Sequence, residues 1–239
     1  MKNARPRRPL LRSALLASIM AAGCQGIAVS EQYSGMAAVE QYLMADSAAE
    51  IAMARSAAPE AIARDATVLI LATDGYRTAI DGKNGFTCLV ERSWMSPFDS
   101  PQFWNPKIRG PICYNPAAVK TVLPYTFNRT KLILSGLSKA QVHGIIEASV
   151  AKKEMVAPEA GAMSYMLSKT GYLGDSAGHW HPHLMFHVPS TGEASWGANV
   201  AGSPVLFNDE YRDVPEPETI FMLPIPYWSD GSAAPHTAY

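Results

Sequence analysis

The most chemically concentrated stretch of this sequence holds four of its six histidines within nine positions, at His179, His181, His183 and His187. In an extended strand successive side chains alternate between two faces, so these imidazoles would share one face with Met185. Neutral imidazole binds zinc, copper, iron or nickel, and a thioether adds a soft ligand for copper. The pattern therefore predicts a metal site with these four histidines as ligands and zinc or copper as the ion.

Pro182 stands against a simple four-histidine site. The residue before a proline is driven towards β or polyproline geometry, and a three-residue polyproline turn would break the alternation of His179 and His181. His183 and His187 would remain on one face but ~13 Å apart, too far to share one ion unaided. The alternative is a pocket for an organic ligand, in which the histidines act with nearby acidic and indole side chains. The candidates are Asp175, Trp180, Glu193 and Trp196.

The opposite face of this strand is apolar. We expect it to be buried against the helix that contains Val142 and Ile146 or against the strand that contains Met163, and we expect the histidine face to be the open one. The apolar residues are Leu184, Phe186 and Val188.

Residues 174–178, Gly-Asp-Ser-Ala-Gly, match the G-x-S-x-G pattern, which resembles the serine motif of some lipases and esterases. Asp230 and His236 follow in the chain order Ser, Asp, His that those hydrolases use. A nucleophile elbow needs a helix directly after the serine, however, and Ser176 is followed by Trp180, Pro182 and an apolar strand. A serine hydrolase using Ser176 is therefore less favoured than a glycine-rich turn between two strands.

The first thirty residues have the pattern of an export signal, with a basic head, a short apolar stretch and then small residues. Arg7-Arg8 resembles the twin-arginine export motif, and Ala21-Ala22-Gly23-Cys24 resembles a lipoprotein cleavage box with a lipid anchor at Cys24. Both remain alternatives to plain secretion. Residues 1–30 are predicted to be the signal and residues 31–239 one exported domain, in the periplasm or cell envelope of a bacterium.

Charge and hydropathy limit the partners. The chain has 20 Lys and Arg against 21 Asp and Glu, and several of the positive charges belong to the predicted signal. No basic run remains to neutralise phosphates, which argues against nucleic acid. No later segment approaches the ~20 apolar residues of a membrane span. The expected partner is therefore a small ligand or a metal ion.

Two cysteines follow the signal, Cys88 and Cys113. In an oxidising compartment their default state is a disulfide. On the chain-entropy model, closing this loop would stabilise the folded state by about 3 kcal/mol. The alternative is that both thiols bind metal together with the histidines.

The sequence of the N-terminal half predicts a meander of three antiparallel strands. Residues 66–73 form an apolar β-branched run, Asp74-Gly75 is a hairpin signal into residues 76–80, and Asn84-Gly85 is a second turn into residues 86–92. Residues 93–115 contain four prolines, which predicts a long irregular loop.

Helices are predicted before and after this meander. One or two should lie in residues 35–56, one should follow Asn115-Pro116 and stop at Pro124, and one should follow the capping box of Ser138 and Gln141. Further strands are predicted in residues 161–168, in the histidine stretch and in residues 219–223, the last at a sheet edge. The fold class is therefore α+β, a single domain with an antiparallel sheet and helices packed on one side.

Three segments together resemble exported bacterial proteins that have no assigned activity. The segments are residues 84–94, residues 103–108 and the block from His179 to Phe186. The resemblance covers most of residues 31–239 and implies export from a bacterial cell, but no particular reaction.

Overall fold

A mixed β-sheet runs through the part of the chain that the computed structural model describes, which is Met1, residues 33–174 and residues 181–235. It has seven strands in the order β2-β1-β3-β4-β5-β6-β7. Every neighbouring pair is antiparallel except β1 and β3, which are parallel. The strands are β1 (Thr67–Ala72), β2 (Gly75–Ile80), β3 (Thr87–Glu91), β4 (Gly110–Tyr114), β5 (Met163–Met166), β6 (His183–Pro189) and β7 (Glu218–Pro224).

The predicted meander is wrong in its pairing. β1 and β2 form the expected hairpin, but β3 lies on the other side of β1 and runs parallel to it. Burial explains the difference, because the first four residues of β3 are buried, whereas half of the residues of β2 are exposed and none is buried. A strand buried on both faces needs a central place in the sheet, and a polar strand is tolerated at an edge.

Strand β4 was missed because it contains Pro111. The prolines of residues 93–115 predicted irregular structure throughout, yet β4 lies in the middle of the sheet between β3 and β5. Pro111 has no N–H to donate. On the β5 side, the chain is paired at Arg109, just before β4, which bridges to Tyr172, and at Cys113, which pairs with Tyr165, and Pro111 lies in the unpaired gap between them. The missing donor therefore costs no bond to β5.

The described residues form five α-helices, which confirms the α+β class. They pack on both faces of the sheet, so the prediction of helices on one side is wrong. The first two contact the face that carries Val68 and Val90, and the third and fourth contact the face that carries Leu89 and Ile112. The helices are α1 (Ser47–Arg55), α2 (Glu60–Ala63), α3 (Pro116–Thr121), α4 (Leu123–Leu134) and α5 (Lys139–Ala151).

Helix caps follow the sequence closely. Asp46 caps α1 by accepting from the backbone of Ala48, and the capping box of Ser138 and Gln141 begins α5. Pro124, in contrast, does not stop a helix but lies in the first turn of α4. Proline is tolerated there because the first-turn N–H groups have no intrahelical acceptor.

Cys88 and Cys113 form the predicted disulfide, which excludes them as metal ligands. They lie opposite each other on β3 and β4, and neither side chain is exposed. The bond therefore joins two central strands from within the core.

No α-helix among the described residues combines the length and hydropathy needed to cross a membrane. The predicted export signal and lipid anchor at Cys24 lie outside the described residues.

Candidate functional site

A cavity of about 430 Å³ lies between the sheet and its covering segments. Strands β3 to β7 supply one wall, while α4 and the loops around residues 92–108 and 208–216 supply the rest. Its lining is partly apolar, with methionines on four different segments. They are Met95, Met166, Met185 and Met222.

The polar side of the cavity is centred on Glu91, at the end of β3. Its Oε1 accepts hydrogen bonds from the Tyr114 hydroxyl at 2.6 Å and from the Thr126 hydroxyl at 3.3 Å. Burial raises the pKa of the Glu91 carboxyl, although the bond from Tyr114 partly opposes this. Burial also raises the pKa of Tyr114, so its hydroxyl remains a donor.

A second polar group joins three neighbouring strands. His187 on β6 lies 2.8 Å through Nδ1 from Oε2 of Glu218 on β7 and 3.0 Å through Nε2 from Oγ of Ser164 on β5. An ionised carboxylate only accepts hydrogen bonds, so Nδ1 is the nitrogen that donates to Glu218. Both ring nitrogens are therefore engaged.

The order Ser164, His187, Glu218 has the contacts of a nucleophile, a base and an orienting acid. Ser164, however, lies within strand β5 with no exposed surface, and the cavity lining includes His187 and Glu218 but not Ser164. A nucleophile must reach its substrate. We therefore interpret Ser164 as a residue that fixes the His187 ring.

Ser164→Ala is expected to lower the free energy of unfolding by about 1–3 kcal/mol, because it leaves a buried ring nitrogen of His187 without its partner. Denaturant unfolding monitored by tryptophan fluorescence measures this. Ser190→Ala, at an exposed site just after β6, is the control and should change little. Equal stability of the two variants would contradict the assigned role.

Two buried ion pairs flank the cavity. The Arg129 guanidinium of α4 binds both oxygens of Glu216, at 2.9 and 2.5 Å, and also donates to the carbonyls of Trp94 and Ser96. Arg92 donates to Glu50 at 2.6 Å. Each guanidinium therefore has its counter-ion within the protein.

The histidine stretch is only partly brought together. His183, Met185 and His187 line the cavity, as their alternation predicts, whereas His181 is not among the lining residues and His179 lies outside the described residues. No group of three or more His, Cys, Asp and Glu side chains in residues 33–174 and 181–235 is arranged to hold a metal ion. The four-histidine site thus stays a prediction.

The expected open histidine face is found only in part. His183 and Met185 are partly exposed and line the cavity, but His187 is only 3% exposed. On the apolar face, Phe186 and Val188 are half-buried and pack with Phe207 and Phe221 rather than with α5. The alternative prediction holds in part, since Met163 lies directly opposite Phe186 on the neighbouring strand.

The other candidates from the sequence lie elsewhere. Glu193 binds Arg212 at 2.8 Å, and Trp196 stacks on Phe221 with ring centroids 4.8 Å apart. Neither lines the cavity. Asp230, offered as a hydrolase acid, binds Lys169 at 2.6 Å. Asp175, Ser176, Trp180 and His236 lie outside the described residues.

Sequence reasoning missed the acidic and aromatic residues of the cavity. A signal was present for two of them, because Glu91 and Glu218 stand at the ends of strands that are otherwise mostly apolar. Arg129 also interrupts the buried side of α4, and a buried arginine requires an acidic partner. Nothing local, however, identified Glu216 as that partner, 87 residues away.

No protein-family model, curated protein or solved structure matches this chain.

Proposed function

We propose that this protein is an exported bacterial protein that binds a small organic ligand in the cavity between its sheet and α4. The observation that carries the proposal is the cavity itself, which combines apolar walls with convergent polar groups. Its volume of about 430 Å³ lies within the range of small-molecule sites. The methionine side chains are flexible and polarisable, and they suit the body of an organic ligand.

Binding is better supported than catalysis. Both nitrogens of His187 have partners, and the hydroxyl of Ser164 lies beneath the cavity surface. Export is supported by the N-terminal sequence pattern and by the buried disulfide between Cys88 and Cys113, a bond typical of oxidising compartments.

A fragment screen tests the proposal by comparing the wild type with blocked variants, in which a tryptophan substitution fills or narrows the cavity. The panel contains equal numbers of ammonium, neutral and carboxylate fragments and is screened by ligand-observed NMR. Met185→Trp fills the cavity from β6, and Leu173→Trp narrows it from a residue that is 41% exposed and lines the cavity. Val200→Trp, in an exposed loop away from the lining, is the matched control.

Fragments that bind the wild type should be lost in both blocked variants and retained in Val200→Trp, with circular dichroism confirming that each variant is folded. Leu173→Trp keeps the test valid if Met185→Trp does not fold. Equal binding to the blocked variants, or no binding by any fragment, would contradict the proposal.

The metal site predicted from the sequence remains a second proposal, which rests on the spacing of the histidines and not on three converging ligands among the described residues. Elemental analysis of the exported protein tests it. Stoichiometric zinc or copper that decreases in His181→Ala and His183→Ala would support it, and protein without metal under replete conditions would contradict it.

A further inference from the structure

We propose that the ligand is a small organic ammonium compound and that the Glu91 carboxylate is its counter-ion in the cavity. This inference rests on the proposed function, since it names the chemical class of the molecule that the cavity binds.

Four acidic residues line the cavity, and one of them, Glu210, is exposed. Glu91 differs in its partners from the other two, Glu216 and Glu218. Glu216 is neutralised by Arg129, and Glu218 binds His187. Both hydrogen bonds to Glu91 come from neutral hydroxyls, those of Tyr114 and Thr126. No Lys, Arg or His side chain of the described residues forms an ion pair with it.

The guanidinium groups that line the cavity already have carboxylate partners within the protein. Arg129 is bound to Glu216, and Arg92 is bound to Glu50. Burial lowers the pKa of His183, so its imidazole carries little charge near neutral pH. Among the described residues that line the cavity, an anionic ligand would therefore face an excess of carboxylates without an available cation.

A cationic ligand, in contrast, would find a carboxylate available to pair with it. Its charge compensates Glu91, which otherwise carries the cost of ionising in a partly buried place. Three tyrosines line the same cavity, and aromatic rings attract ammonium groups through their π-faces. These are Tyr114, Tyr125 and Tyr211.

An organic cation fits better than a metal ion. Inorganic cations such as Ca²⁺ and Mg²⁺ need several oxygen ligands around one point. Glu91 is a single carboxylate, and apolar side chains such as Met166 and Ile112 share the cavity with it. An ammonium group with an attached apolar body uses both parts of this lining.

Three matched probes test the charge preference on the full chain: 2-phenylethylammonium, 2-phenylethanol and phenylacetate. Isothermal titration calorimetry should show the ammonium probe binding at least tenfold more tightly than the neutral alcohol, with phenylacetate the weakest. Glu91→Gln should abolish this preference while leaving the affinity for 2-phenylethanol within about twofold. Glu60→Gln, at an exposed site on α2, is the matched control and should bind like the wild type.

Equal affinity for the ammonium compound and the alcohol, or an unchanged preference in Glu91→Gln, would overturn the inference. If neutral or carboxylate fragments bind in the cavity while ammonium compounds do not, the ammonium inference fails and the proposed function stands. If no fragment binds, both fail.

Ligand affinity should also depend on pH in a defined direction. Because burial raises the pKa of Glu91, the carboxyl becomes ionised above its ordinary range, and affinity for the ammonium probe should rise as pH increases through that interval. Other titratable or charged groups on the surrounding elements also interact with Glu91. The control is the pH profile of Glu91→Gln, because this variant retains those groups. Its affinity for the ammonium probe should no longer rise with pH. These groups are Tyr76, Tyr114, Arg129, His187 and Tyr211.

Discussion

Replacing Arg129 by leucine is expected to lower the free energy of unfolding by about 3–5 kcal/mol, because it leaves the buried Glu216 carboxylate without its counter-ion. Both side chains are only 3% exposed. The guanidinium also donates to the carbonyls of Trp94 and Ser96 in one covering loop, while Glu216 lies in the other, so its loss disconnects α4 from both loops. Ligand binding should fall together with stability.

The double variant Arg129→Leu/Glu216→Leu distinguishes two effects on stability: the loss of the ion pair itself, and the cost of leaving one buried charge without its partner. Replacing both members of a buried pair with apolar residues is often close to neutral, so the double variant should recover much of the stability that the single variant loses. Denaturant unfolding of the two variants gives the comparison. A double variant as unstable as Arg129→Leu would contradict this explanation.

Removal of the disulfide is the second large effect. Cys88→Ala/Cys113→Ala is expected to lower the free energy of unfolding by about 2–5 kcal/mol, since the bond restricts the unfolded chain across 24 intervening residues. Both side chains are fully buried, so packing changes add to the cost. Thermal unfolding with and without reductant measures the effect.

Reduced wild-type protein is the control for this variant, and its stability should approach that of the double alanine variant. Mass spectrometry of unreduced protein should give a mass two hydrogens below the free-thiol value. Two alkylatable thiols in unreduced, denatured protein would contradict the bond.

The pH dependence of stability provides a fourth test that does not need a ligand. The folded-state pKa of Glu91 is raised above its ordinary value of 4.5. Its neutral form is therefore favoured in the folded protein, and the stability it contributes is fully present below pH 4.5 and is lost as pH rises through the raised pKa. Glu91→Gln should become more stable relative to the wild type across that interval. A pH-independent difference between the two would contradict the burial of this carboxyl.

Several elements could be predicted because their signals are local. The hairpin of β1 and β2 follows from Asp74-Gly75 between two strand-like runs, and the start of α5 follows from its capping box. Proline on both sides of β7 predicts a strand at a sheet edge, and the structure confirms that position. The alternation in β6 correctly grouped His183, Met185 and His187.

Other elements could not be predicted because distant residues decide them. Strand β4 contains Pro111, which argues locally against a strand, and only the gap in pairing with β5 makes it tolerable. The parallel pairing of β1 with β3 depends on which strand has more apolar surface to bury. The enclosed side of β6 depends on α4 and two loops that cover it.

The sequence by itself determined the α+β class, the disulfide and most of the local elements, because periodicity, caps and cysteine count act over a few residues. The tertiary structure alone decided the cavity and its chemistry. Glu91 meets Tyr114 from 23 residues away, and Arg129 meets Glu216 from 87 residues away. Such contacts depend on the order of the strands in the sheet and on which face each helix covers, and no local pattern encodes either.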